Sequence, residues 1–206
     1  MTSDFPFDSS MMNDEQANLF MDIFLSLKTK YNITVDPEFK LDTNAYYAFC
    51  GNSLNDCGPV FRLESGGRQF YLCFPEIGYG ARSGRMRYTQ LEYQAWGYCK
   101  LKQDFGHILI KNETILDKIH DIIVPVDIKF EDDTEFSKKF LVVANDKEKA
   151  MMKMTPAIRD LIKKITLPEP IIEVNGTDFT IGEERVAAKD ASIEIADFMD
   201  RMLRII

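Results

Sequence analysis

Phe140-Leu141-Val142-Val143-Ala144-Asn145-Asp146-Lys147-Glu148, read on to Thr155-Pro156 and Asn175-Gly176, is the stretch that decides the fold. Its first five residues are apolar and rich in β-branched side chains, which suits a buried strand. Asn145 with Glu148 three residues on has the spacing of a capped helix start. Thr155 before Pro156 starts a second helix, because a proline at the first helical position gives up an N–H that has no partner there anyway. Ile158, Leu161, Ile162 and Ile165 form that helix's apolar stripe, and Pro168 and Pro170 end it. Asn175-Gly176 joins Ile171–Val174 to Thr177–Ile181 with the signature of a type I′ hairpin. A last helix starts at Asp190 or Ser192, with Ile195, Ala196, Met199, Met202, Leu203 and Ile206 on one face. None of these elements carries a residue set placed for chemistry.

Upstream, residues 44–110 read as β structure. Val60–Leu63 and Gln69–Phe74 flank Ser65-Gly66-Gly67, a hairpin signal. Tyr88 to Leu101 is the longest strand candidate. Leu91, Tyr93, Ala95, Gly97, Cys99 and Leu101 fall on one face of it, and Gln90, Glu92, Gln94, Trp96, Tyr98 and Lys100 on the other. Ala45–Cys50 and Phe105–Ile110 add further strands. Before this block, Asn13 to Gln16 has capping-box spacing, and Ala17, Phe20, Phe24, Leu27 and Tyr31 make a helical stripe. The polar, acidic residues 1–12 are expected as a disordered tail. Residues 113–123 fit either a short helix or a strand, and Glu131-Asp132-Asp133 reads as a solvated turn. The expected architecture is α+β: a mainly antiparallel sheet with an N-terminal helix, two short central helices and a C-terminal amphipathic helix packed against it. Residues 13–206 are read as a single domain, with a place for a subdivision near 131–136.

Three motifs resemble an uncharacterised bacterial family known only as a domain of unknown function. They are Phe105-Gly106-His107-Ile108-Leu109, then Phe136 and Phe140 with Val142, then Met154-Thr155-Pro156-Ala157. Together they span roughly residues 88–205. The resemblance implies an α+β fold and supplies no catalytic residue. Many members of that family look membrane-attached through N-terminal spans. No such span is expected here, because the longest apolar candidate, Leu19–Leu25, is interrupted by Asp22.

At 206 residues the chain is long enough to bury roughly 70% of its unfolded surface, so it needs no metal or disulfide to fold. Its four cysteines, Cys50, Cys57, Cys73 and Cys99, lack the close pairs of a zinc site and are expected as buried thiols. The N-terminus lacks a signal-peptide pattern, which makes the cytoplasm the expected location. Net charge is −8, and that repulsive field argues against nucleic acid. The charge is uneven, however. Residues 58–103 hold seven basic and three acidic side chains, a local +4 that leaves −12 elsewhere.

Within that basic stretch, Gly78-Tyr79-Gly80-Ala81-Arg82-Ser83-Gly84-Arg85-Met86-Arg87 combines three glycines with three arginines. Its spacing is neither a dinucleotide nor a Walker fingerprint, and it reads as a loop between two strands. Arginine forks suit carboxylate or phosphate. Arg82, Arg85 and Arg87, with Tyr79 and Tyr88 beside them, are therefore the candidate contact for a protein partner or a small anionic ligand. His107 and His120 read as structural, no Gly-x-Ser-x-Gly elbow is present, and no catalytic residue, metal or cofactor is assigned. The expected function is a non-catalytic binding module. The competing reading is an enzyme whose anionic substrate is held by the Arg82–Arg87 loop.

Overall fold

The computed structural model describes residues 5–50, 53–83, 86–112 and 126–206. Among these, ten strands form one sheet in which every pairing is antiparallel. They are β1 (Asn32–Val35), β2 (Ser53–Ser65), β3 (Arg68–Ser83), β4 (Met86–Tyr93), β5 (Trp96–Lys100), β6 (His107–Asn112), β7 (Val126–Asp127), β8 (Phe140–Ala144), β9 (Ile171–Asn175) and β10 (Asp178–Gly182). The strand order is β1-β2-β3-β5-β10-β9-β6-β8-β7, with β4 paired to β3 off that path. The helices are α1 (Asp14–Lys28), α2 (Thr134–Lys139), α3 (Lys147–Lys153), α4 (Pro156–Lys163) and α5 (Lys189–Ile205). The architecture is the expected α+β one.

Helices cover one face. Asn13 and Gln16 close the capping box of α1, each side chain accepting the other's backbone N–H at 2.9 and 3.0 Å. Phe20, Ile23 and Leu27 of α1 then pack with Ile158 and Ile162 of α4 and Ile195, Met199 and Met202 of α5 over Phe61, Phe70, Leu72 and Ile181 of the sheet. Each such side chain contributes about 1.5–3 kcal/mol on full burial. Gly97 lets α5 come close. A Cβ there would stand 2.8 Å from Ile195 Cγ2 and 2.9 Å from Met199 Cγ, too near for any side chain.

Among the described residues, the opposite face has no helix over its centre. Residues 39–49 cross it as a strap containing two single 3-10 turns, Thr43–Ala45 and Tyr47–Phe49. Leu41, Tyr46, Ala48 and Phe49 of the strap bury Trp96, Cys73, Leu109, Val143 and Ile171. The strand expected at 45–50 is therefore absent. Its backbone groups are satisfied by turns and by a side chain described below.

The long strand expected over 88–101 is two strands, broken at Gln94-Ala95. At that point β3 changes partner, from β4 at Glu76↔Tyr93 to β5 at Cys73↔Trp96. Pro75 has no N–H to continue the ladder, and its carbonyl instead accepts from Gln94 N.

Three smaller expectations are also corrected. Residues 5–12 are not a frayed tail. Phe7 is buried in the core, edge-on to Phe20 at 6.2 Å and near Phe61 at 6.1 Å. The cap of α3 is Asp146, which accepts from Lys149 N, while Asn145 turns aside to accept from His107 N. In the β9–β10 hairpin, Asn175 pairs with Asp178, so the connecting residues are Gly176-Thr177. Gly176 has φ +64° and, among the described residues, no non-glycine residue has positive φ, which is the II′ pattern and not I′. Residues 113–123 lie outside the described residues.

Candidate functional site

The stretch expected as an arginine loop is mostly strand. β3 runs through Ser83 and β4 starts at Met86, with eight consecutive cross-strand pairs from Glu76↔Tyr93 to Ser83↔Met86 and no register shift. Arg82 stands opposite Arg87, Ala81 opposite Tyr88 and Tyr79 opposite Gln90. Arg85, with Gly84, lies outside the described residues. The hairpin thus holds four of the five expected contact residues in one arm.

The other basic residues of the stretch go elsewhere. Arg68, Lys100 and Lys102 line a groove of about 620 Å³ with Arg204, at the far end of β3 and the end of α5. Three of these cations are already engaged, Lys100 by Asp178 Oδ1 at 3.9 Å. Asp200, almost buried, holds Arg204 through one carboxylate oxygen and has Arg68 Nη2 at 3.6 Å from the other. The local +4 of the sequence is therefore split between two places.

The most completely built polar cluster involves residues that sequence reasoning left as structural or did not single out. Glu173, at the centre of β9, is fully buried. Its carboxylate accepts the backbone N–H groups of Tyr47 and Ala48, both at 2.9 Å, and lies 2.6 Å from His107 Nε2 on neighbouring β6. An ionised carboxylate only accepts, so Nε2 carries the proton. The imidazole stacks on the Tyr47 ring at 4.5 Å and 8°. Nearby, Asn175 Nδ2 donates to Ala45 O. The cluster fastens the strap to the sheet, because a carboxylate taking three donors satisfies groups that would otherwise be orphaned. A signal was present in the sequence. Glu173 interrupts a strand of β-branched residues buried on both faces, and a charge at such a position requires partners.

Beside it, Phe39, Leu41, Tyr46, Tyr98, Asn175 and Asp178 line a cleft of about 170 Å³. That is below the roughly 300 Å³ at which ligand pockets begin. Tyr98 donates to Asp178 Oδ1, and burial pushes the Tyr46 and Tyr98 hydroxyls up, which keeps both protonated.

Glu131-Asp132-Asp133, read as a solvated turn, is an anchoring point. Asp132 and Asp133 bind the buried guanidinium of Arg159, which also donates to Met154 O and lies over the Phe130 ring. Asp133 caps α2 as well. Burial works against its charge, but the Phe136 N–H, Lys163 and Arg159 outweigh that and hold its carboxyl below the usual range.

Cys73 and Cys99 are buried and Cys50 is exposed. Burial pushes the Cys99 thiol up to about 12, which makes it inert as a nucleophile. Among the described residues no group of three His, Cys, Asp or Glu converges as a metal site. No protein-family model matches the chain, and neither does any curated protein or solved structure.

Proposed function

We propose that this chain is a non-catalytic binding module that contacts an anionic group, on a protein partner or a small ligand, through Arg82, Arg85 and Arg87, with Tyr79 and Tyr88 beside them. The supporting observation is the register of the hairpin: Arg82 is the direct cross-strand partner of Arg87. Like charges opposite one another destabilise a strand pair, and an anion between them turns that repulsion into two charge-assisted contacts.

The enzyme reading requires ionisable groups within reach of a substrate held by the same arginines. The described imidazole–carboxylate pair lies on β6 and β9. β6 is separated from β3 by β5, β10 and β9, four strand spacings or about 19 Å. That distance favours binding over catalysis.

No described helix is long and apolar enough to cross a membrane. The proposal places the module in the cytoplasm, where a reducing environment suits its free thiols. Membership of the bacterial family that its three motifs resemble belongs to the same proposal.

Fluorescence anisotropy with a labelled oligoglutamate peptide tests the reading. The wild type binds, binding weakens as salt rises, and replacing Arg82, Arg85 and Arg87 by serine abolishes it at unchanged melting temperature. Equal binding by both proteins overturns the proposal.

A further inference from the structure

The β3–β4 arm has a property that its arginines alone do not explain. β4 is eight residues long and pairs with β3, while the strands at the two ends of the sheet path, β1 and β7, have four and two residues. Natural edge strands are blunted by shortness, charged side chains, proline or a bulge, and of these β4 has only the charges of Arg87 and Glu92. β4 has no proline, and its register with β3 carries no bulge. Among the described residues it is the long, regular edge of this sheet.

The register also says which backbone groups of β4 point away from β3. Ser83 and Met86 close a two-residue connection, which makes them a hydrogen-bonded pair. Bonded and non-bonded pairs alternate in an antiparallel ladder. Arg87, Thr89 and Leu91 are therefore at non-bonded positions, and their N–H and C=O groups face away from β3. The next position of that set is Tyr93, and its outward carbonyl is taken by Ala187 N at 2.6 Å. The chain itself thus uses this edge at one end, and the pattern continues past it towards the arginines.

We infer that β4 takes an acidic, extended protein segment as an added strand along Arg87 to Leu91, with the arginines of the arm pairing its carboxylates. Strand addition supplies affinity through main-chain hydrogen bonds and specificity through side chains. The acidic character follows from charge complementarity: the register sets Arg82 opposite Arg87, and Arg85 lies between them in the sequence. The inference rests on the binding function proposed above and adds the form of the partner to it.

The test uses the full chain and a synthetic peptide that alternates glutamate and valine. Thr89→Pro removes an outward N–H and leaves the β3 ladder intact, at a kind of strand position where proline is tolerated. The wild type binds the peptide, and the amides of Arg87, Thr89 and Leu91 become protected from hydrogen exchange on binding. Thr89→Pro weakens binding by about tenfold or more, the worth of one or two lost hydrogen bonds with the misfit that follows, while its melting temperature stays near wild type. If that variant unfolds, N-methylation of alternate peptide residues removes the same bonds from the ligand side and gives the same loss. Several results overturn the inference. Equal binding by Thr89→Pro and by N-methylated peptide, with loss only in the triple-serine variant, leaves anion recognition standing and removes strand addition. No binding of the peptide by wild type removes both. A wild-type dimer in light scattering that Thr89→Pro abolishes assigns the edge to a second copy. Tighter binding of oligodeoxythymidine than of the peptide assigns the arm to nucleic acid.

Discussion

The two arms that meet at β5 are built on opposite terms. Around β9 and β10, polar groups are closed internally. Glu173 takes three donors, Thr180 Oγ1 donates to Gly97 O, Asn175 Nδ2 donates to Ala45 O, and α5 covers the apolar face. In the β3–β4 arm, the register sets arginine against arginine and turns a row of backbone groups away from the sheet. The first arrangement is what stability requires, since each buried polar group left unmatched costs about 1–3 kcal/mol. The second adds nothing to stability and is informative for that reason.

The largest effect that separates the two ends is Met199→Asp. Met199 is fully buried beside Gly97 under α5, and a carboxylate there has no partner. The expected loss is about 4 kcal/mol or more, seen as a fall in melting temperature of about 10 °C or more. A shift of a degree or two would mean that α5 is not docked on β5. Next is Glu173→Ala, which strips the acceptor from Tyr47 N, Ala48 N and His107 Nε2. The expected cost is about 3 kcal/mol in chemical denaturation, with the amides of Tyr47 and Ala48 becoming the fastest-exchanging of the strap. A cost below about 1 kcal/mol would show that apolar contacts alone hold the strap.

Much of this contrast was legible in the sequence where the signal is periodic. The stripes of α1, α4 and α5 hold as read. The alternation across 88–101 also assigns its faces correctly: Tyr93, Ala95, Cys99 and Leu101 lie under the helices, Trp96 and Tyr98 under the strap. This holds although the strand itself breaks at Gln94-Ala95. What failed depends on partners distant in the chain. The strap is non-extended because Glu173, more than 120 residues away, takes its N–H groups. Asp132 and Asp133 look like a solvated turn until Arg159 is folded against them. Asn145 gave up the cap to Asp146 because the N–H of His107, 38 residues earlier, needed an acceptor. For the arginines, composition located the cluster, but only the register reveals which backbone positions face away from β3.

A smaller effect sharpens the comparison from the closed end. Glu183 follows β10 and is buried, with a backbone N–H from Glu169 on its carboxylate but no partner for Oε2 among the described residues. Burial raises its carboxyl above the ordinary 4.5, with Glu169 and Glu194 adding to the rise and Arg185 opposing it. A raised folded-state value means that the charged form is the costly one. The stability Glu183 contributes is present below pH 4.5 and is lost as pH rises through the folded value. Glu183→Gln should therefore match wild type in acid and become the more stable protein as pH rises towards neutral. Paired melting curves across that range check the sign. A glutamine variant that is less stable at neutral pH would mean that the carboxylate is held by a favourable contact.

The smallest effect belongs to the open arm. Replacing Arg82, Arg85 and Arg87 by serine should leave the melting temperature unchanged or raise it slightly. Opposed like charges cost a strand pair up to about 1 kcal/mol, and surface charges otherwise contribute little to folding. Salt discriminates the two origins. If Arg82 and Arg87 repel, added salt stabilises the wild type more than the triple variant, because screening removes a repulsion that only the wild type has. If the arginines are instead neutralised within the chain, whose remaining residues carry −11, salt weakens those attractions and the order reverses. Melting temperatures of the two proteins across a salt series decide between these outcomes. The reversed order would mean that the arm is as closed as the strap, which would take away the contrast on which the binding role rests.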